Sequence, residues 1–162
     1  MNINFNNKFF TTKYKKWIET CYKKASEILK IDKFNLEVNI AFVSKQEIKE
    51  LNLKFRNIDK ITDVLSFPQI DKIDIMNLTA NTYPMDVNIE TGNVMLGDIY
   101  ICVSKVKNQR KEYGSSMQRE MCYMAVHGLL HLLGYDHIED NDKKLMRLKE
   151  EKILKSLNIN RK

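Results

Sequence analysis

Apolar residues recur along this chain with two distinct periods. From Thr12 to Lys30, Tyr14, Trp17, Ile18, Cys21, Ala25, Ile28 and Leu29 follow steps of three and four with lysines between them, the pattern of an amphipathic helix. From Asn35 to Val43 the period drops to two: Leu36, Val38, Ile40 and Phe42 alternate with Glu37, Asn39 and Ala41, which predicts a strand with one buried face. Ser44-Lys45-Gln46-Glu47 is a capping box that opens a helix through about Phe55, with Ile48, Leu51 and Phe55 inward. Thr62 to Phe67 reads as a short strand stopped by Pro68, and Val94 to Val103 as a buried strand. Ser104 is placed to cap a basic helix over Lys105–Tyr113 that Gly114 closes. Ser115 and Gln118 form a second capping box before the helix of Met121, Tyr123, Met124, His127 and His131. A last helix spans about Asp140 to Leu157, with Leu145, Leu148, Ile153 and Leu157 as its apolar side.

Residues 70–93 show no clean period, and an irregular, mobile excursion holding at most a hairpin is expected there. The mixture predicts one α+β domain over residues 1–162, a small mixed sheet of about four strands packed with about five helices.

Composition narrows the class. The 162 residues are 43% hydrophobic and 30% charged, with five Gly and two Pro, as in an ordinary globular chain. The opening Asn2-Ile-Asn-Phe-Asn-Asn7 is polar, and no apolar run approaches the roughly 18 residues of a membrane span, so no signal and no membrane partner are expected. Cys21, Cys102 and Cys122 lie far apart without a Cys-x-x-Cys, which argues against a disulfide framework and for a cytoplasmic location. Net charge is +6, unevenly distributed: residues 61–100 hold six acids and one base, a net of −5, leaving +11 on the rest. A basic surface of this kind suits a polyanion, and equally a solvated lysine-rich face.

The candidate chemistry sits in one place. All three histidines of the chain fall within His127-Gly-Leu-Leu-His131-Leu-Leu-Gly-Tyr-Asp-His137. His127 and His131 share a helix face, Gly134 stops the helix with a left-handed residue, and the following loop is free to return His137 to the other two. Three imidazoles leave one position of a tetrahedral ion open, the mark of a catalytic rather than a structural zinc. A metal so held lowers the pKa of a bound water to about 7, which supplies a nucleophile at neutral pH. The spacing matches the His-Glu-x-x-His-x-x-Gly-x-x-His metalloprotease pattern, but Gly128 stands where the general-base Glu belongs. Asp63 and Asp98 are candidates to orient imidazoles, although strand-end or turn hydrogen bonding is the simpler role for each. Asp136 suits a cap on the turn before His137, and Arg56 lies at a helix end, where basic side chains often serve only the last carbonyls.

The histidine block resembles the signature of the YbeY family, metal-dependent endoribonucleases of ribosomal RNA maturation. Leu51-Asn-Leu-Lys-Phe-Arg56-Asn-Ile-Asp-Lys-Ile-Thr62-Asp-Val-Leu-Ser-Phe-Pro68 resembles the family's second block, and Leu96-Gly-Asp98-Ile its third. The resemblance implies zinc on His127, His131 and His137 and places Arg56 in the site cleft. It implies a single-strand-specific nuclease that forms the 3′ end of small-subunit ribosomal RNA and acts in ribosome quality control. Ribosomal RNA and the ribosome or small-subunit ribosomal proteins are then the partners. Arg56 is expected to grip a non-bridging phosphate oxygen while zinc-bound water or hydroxide attacks. Two departures stand out: Ile61 where the family commonly has proline, and a longer stretch between Pro68 and Leu96. The competing readings are a zinc-stabilised ribosome-assembly factor without catalysis and a zinc peptidase or amidase, the latter opposed by Gly128.

Overall fold

A computed structural model describes residues 1–7 and 12–160. The elements follow as β1 (Asn2–Asn7), α1 (Thr12–Leu29), β2 (Leu36–Val43), α2 (Lys45–Arg56), β3 (Val64–Pro68), β4 (Val94–Cys102), α3 (Val103–Glu112), α4 (Met117–Leu132) and α5 (Asp140–Ser156). Together they form the expected α+β unit of four strands and five helices. The sheet order is β1-β2-β4-β3, with β1, β2 and β4 parallel and β3 antiparallel at one edge.

The first strand is one that the hydrophobic pattern did not reveal. Met1, Ile3 and Phe5 are half-buried against the core, while Asn2, Asn4 and Asn6 face solvent. Only two apolar side chains lie within the strand itself, too few to stand out as a period. The strand exists because β2 offers its edge, pairing Asn2 with Glu37 through Asn7 with Phe42.

The main core lies on the face covered by α1, α3, α4 and α5. β2 sends Leu36, Val38, Ile40 and Phe42 into it, and β4 sends Val94, Leu96, Ile99 and Ile101. Those four residues of β4 change parity after Leu96, and a bulge makes this possible: Glu37 pairs with Met95 but Val38 with Gly97. Gly97 is obligatory at that bulge, with φ +135° and a Cβ position 2.1 Å from the Phe67 carbonyl oxygen. On the other face α2 covers a smaller cluster of Ile48, Leu65 and Cys102. Helix α4 is the buried spine. Met121, Cys122, Met124, Ala125, Val126, Leu129, Leu130 and Leu132 are all buried, and each large side chain among them stabilises the fold by about 1.5–3 kcal/mol.

Several local expectations shift. Helix α3 begins at Val103 behind Cys102 without a side-chain cap, so Ser104 is inside the helix and bonds Cys102 Sγ instead. The cap of α4 is Ser116, whose hydroxyl accepts the Arg119 N–H at 3.0 Å, one residue later than the Ser115–Gln118 box. Phe55 does not face inward but is 57% exposed, stacked edge-on against Phe67. Helix α5 buries Met146, Glu150, Ile153 and Leu154, whereas Leu145 and Leu148 face solvent. The buried carboxylate of Glu150 on that face has its partner at the histidines.

The irregular segment after β3 is tied down at three places. Ile70 and Leu78 enter the core, Val87 bridges Val94, and Asn88, Thr91 and Asn93 all donate to the buried carboxylate of Glu37. No helix among the described residues is long and apolar enough to cross a membrane.

Candidate metal centre

Helix α4 crosses the sheet with Gly128 at the crossing point. A Cβ there would lie 3.0 Å from Ile99 and 3.1 Å from Ser66 Oγ, so any larger residue requires those two side chains to yield. The position that carries a general-base Glu in metalloproteases therefore faces packed side chains of the sheet. Packing thus adds to the residue type in opposing the peptidase reading.

The close approach aims the neighbouring residue, His127, away from the sheet. One turn later His131 joins it, and their Nε2 atoms lie 3.1 Å apart. The helix then stops as expected. Gly134 adopts φ +79° and donates to the His131 carbonyl, while the Tyr135 N–H returns to Leu130. A Cβ on Gly134 would also meet Ile73 at 2.8 Å, so the irregular segment packs directly behind the turn. Asp136 accepts the His137 N–H at 2.7 Å, and this local cap presents the His137 ring to the other two. Its centroid lies 5.5 Å from that of His127 and 4.9 Å from that of His131.

One nitrogen from each ring falls within 4.8 Å of the other two, with His137 exposed on the open side. This donor set fits a metal ion. Two nitrogens at zinc-bond lengths of about 2.0–2.1 Å, held at a tetrahedral angle, stand about 3.3 Å apart, close to the His127–His131 separation. The protonation state also fits. Burial, followed by the neighbouring His127 and His137, lowers the His131 pKa from 6.5 to about 4, and Asp136 and a backbone hydrogen bond at Tyr135 offset only part of this. His131 is therefore neutral at pH 7, with a lone pair to give.

The residue that orients this cluster is Glu150 of α5. Its carboxylate, 3% exposed, lies 2.7 Å from His127 Nδ1. A proton held there leaves Nε2 as the free donor atom. Sequence reasoning missed Glu150, yet a signal existed: a carboxylate in step with Met146, Ile153 and Leu154 on a helix face that must be buried. The two aspartates considered for this role do other work. Asp63 accepts from Gln109, Thr62 and the Val64 N–H, and Asp98 accepts from Asn39.

Arg56 ends α2, but it does not cap that helix. The backbone N–H of the left-handed Asn57 serves the Leu53 and Asn52 carbonyls. Arg56 instead reaches across to β3, its Nη2 donating to the Ser66 carbonyl at 3.4 Å. Ser66 is the residue whose hydroxyl packs on Gly128 beside His127. One strand residue therefore lies between the exposed guanidinium and the histidine helix.

Comparison with known proteins agrees with this geometry. The profile of a family described as endoribonuclease YbeY matches residues 2–158. A Clostridium botulinum protein named endoribonuclease YbeY is 45% identical over 138 residues, 82% of this chain and 83% of its own. Its Clostridium tetani namesake is 45% identical over 128 residues, 77% of each chain. A solution structure from Thermotoga maritima superimposes with a TM-score of 0.57 at 30% identity, covering 97% of this chain and 91% of the other.

Proposed function

Because the chain belongs to the YbeY family of endoribonucleases, we propose that it cleaves single-stranded segments of ribosomal RNA at a zinc ion held by His127, His131 and His137. The observation that carries the reading is the converged histidine cluster backed by the buried Glu150.

Zinc in such a site supplies an activated water at neutral pH and a Lewis acid for a phosphoryl oxygen. The protein does the rest. Glu150 keeps the His127 proton on Nδ1, burial keeps His131 neutral, and the Asp136 cap brings His137 in. Arg56 offers a planar, permanently charged fork to a non-bridging phosphate oxygen as negative charge grows there. Its single bond to Ser66 is long, so the guanidinium turns to a phosphate at little cost. Gly128 in place of the protease Glu fits a reaction at an anionic phosphodiester better than one at a peptide.

The +11 charge outside residues 61–100 favours a polyanion. A place in forming the 3′ end of small-subunit ribosomal RNA and in ribosome quality control, in contact with ribosomes or small-subunit proteins, follows as part of the same proposal. The three free, buried cysteines support a cytoplasmic setting.

The test combines elemental analysis of the purified protein with RNA cleavage before and after chelation. Arg56→Ala is expected to retain the metal and lose cleavage by about 10²–10³-fold, the usual effect of removing one transition-state donor. Wild-type protein that binds zinc, melts lower without it and never cleaves RNA would instead be an assembly factor.

A further inference from the structure

A second cleft lies on the same side of α4, two turns before His127. It encloses about 500 Å³ between Asp63, Gln109, Ser115, Arg119, Glu120 and Tyr123. Four buried side-chain polar atoms lack a hydrogen-bond partner among the described residues: Gln109 Oε1, Ser115 Oγ, and Nε and Nη1 of Arg119. All four belong to residues lining this one cleft. Arg119 is the least expected of them. Its side chain is 2% exposed, and among the described residues it has one ion pair, from Nη2 to Glu151 at 2.8 Å. A buried guanidinium N–H without a partner destabilises a fold, so a ligand that supplies one is favoured here.

The charge around the cleft limits what it accepts. Asp63, Glu120 and the nearby Glu151 set three carboxylates against one guanidinium, and a phosphate there would meet net repulsion. The complement is a neutral group with acceptors for Arg119, a donor for Gln109 Oε1 and a flat face for Tyr113 and Tyr123, which also line the cleft. A nucleobase has these features on one edge and one face. Arg119 Cζ stands 5.1 Å over the Tyr123 ring, and that ring lies 5.8 Å from His127. A continuous row thus joins the cleft to the histidines, and Arg119 to His127 is about 12 Å along the helix axis, a span that a few nucleotides of extended strand cover.

We propose that this cleft binds one base of the substrate strand and so sets the position of the cut relative to that base. The identification of the ligand as RNA rests on the nuclease reading above; the cleft itself rests on its unpaired polar atoms.

The experiment uses the zinc-loaded protein and a fluorescent, uncleavable 2′-O-methyl phosphorothioate hexanucleotide, compared with the same backbone bearing abasic residues. Wild type is expected to bind the base-bearing strand on the order of tenfold more tightly, as one stacked and hydrogen-bonded base provides. Arg119→Lys keeps the charge beside Glu151, loses the planar donors and abolishes the difference without weakening the abasic strand. Should that variant fail a melting test, Gln109→Met with Ser115→Ala decides by the same readout. Equal binding of both strands by wild type, or a difference that survives in a folded variant, overturns the proposal. Cleavage of natural RNA is assayed in parallel. Its absence would sink the nuclease reading alone, because base-dependent binding is scored separately.

Discussion

Glu150 Oε1 lies 2.7 Å from His127 Nδ1, and the pair joins α5 to α4 at a carboxylate sealed from solvent. This contact selects the histidine tautomer that leaves Nε2 of His127 free beside His131. It also makes the centre depend on the helix that follows α4.

Glu150→Ala is expected to lower zinc affinity by about 10–100-fold, the usual effect of deleting the partner of a metal-bound imidazole. Competition with a chromophoric chelator measures it. Glu150→Gln, which still accepts the Nδ1–H, recovers part of the loss. Unchanged affinity in a folded Glu150→Ala protein would remove Glu150 from the site.

Gly128→Ala should destabilise the protein by about 1–3 kcal/mol in urea unfolding, because Ile99 and Ser66 must yield to the added methyl. Gly128→Glu, which restores the protease motif, is expected to unfold the chain further and to yield no peptide hydrolysis. A stable, peptide-cleaving variant would contradict the packing argument.

The orientation of α5 has its own check. Ile153→Ala empties a fully buried position and should cost about 2–5 kcal/mol, whereas Leu148→Ala, at an exposed one, should stay within about 0.5 kcal/mol. The reverse ranking would mean that α5 presents another face to the core.

Glu37 gives a pH signature. Burial raises its pKa, but hydrogen bonds from Thr91, Asn93, Asn88 and Asn4 outweigh that and hold the carboxyl at about 2, below the usual 4.5. The folded state therefore binds this proton less readily than the unfolded state. The stability it contributes is complete above about pH 4.5 and is lost as the pH falls toward about 2. Urea unfolding across that window should show a slope that Glu37→Gln flattens. The neutral variant should be less stable near neutrality, and a slope identical to wild type would refute the assignment.

Much of the fold was legible because its elements are locally encoded. The alternation of Leu36, Val38, Ile40 and Phe42, the Ser44–Glu47 box and the left-handed stop at Gly134 each act within a few residues, and all three are present. The candidate site was legible for the same reason. Helical pitch alone aligns His127 with His131, and a short turn returns His137.

The unread features share one cause: each is a contact between separate elements, which no period or turn within one element records. Strand β1 has too little apolar content of its own and forms because β2 presents an edge. The inward face of α5 carries Met146, Ile153 and Leu154 together with Glu150, which meets a histidine 23 residues upstream, while Leu145 and Leu148 stay outside. Arg56 reaches Ser66, and Ser66 meets Gly128, only once α2, β3 and α4 have packed. The sequence by itself therefore determined the periods, the stops and the metal-binding residue types, which depend on backbone geometry within a turn or two. Tertiary structure alone decided which carboxylate supports the histidines, where Arg56 points, and that a buried guanidinium lines a second cleft, because each depends on how separate elements pack against one another.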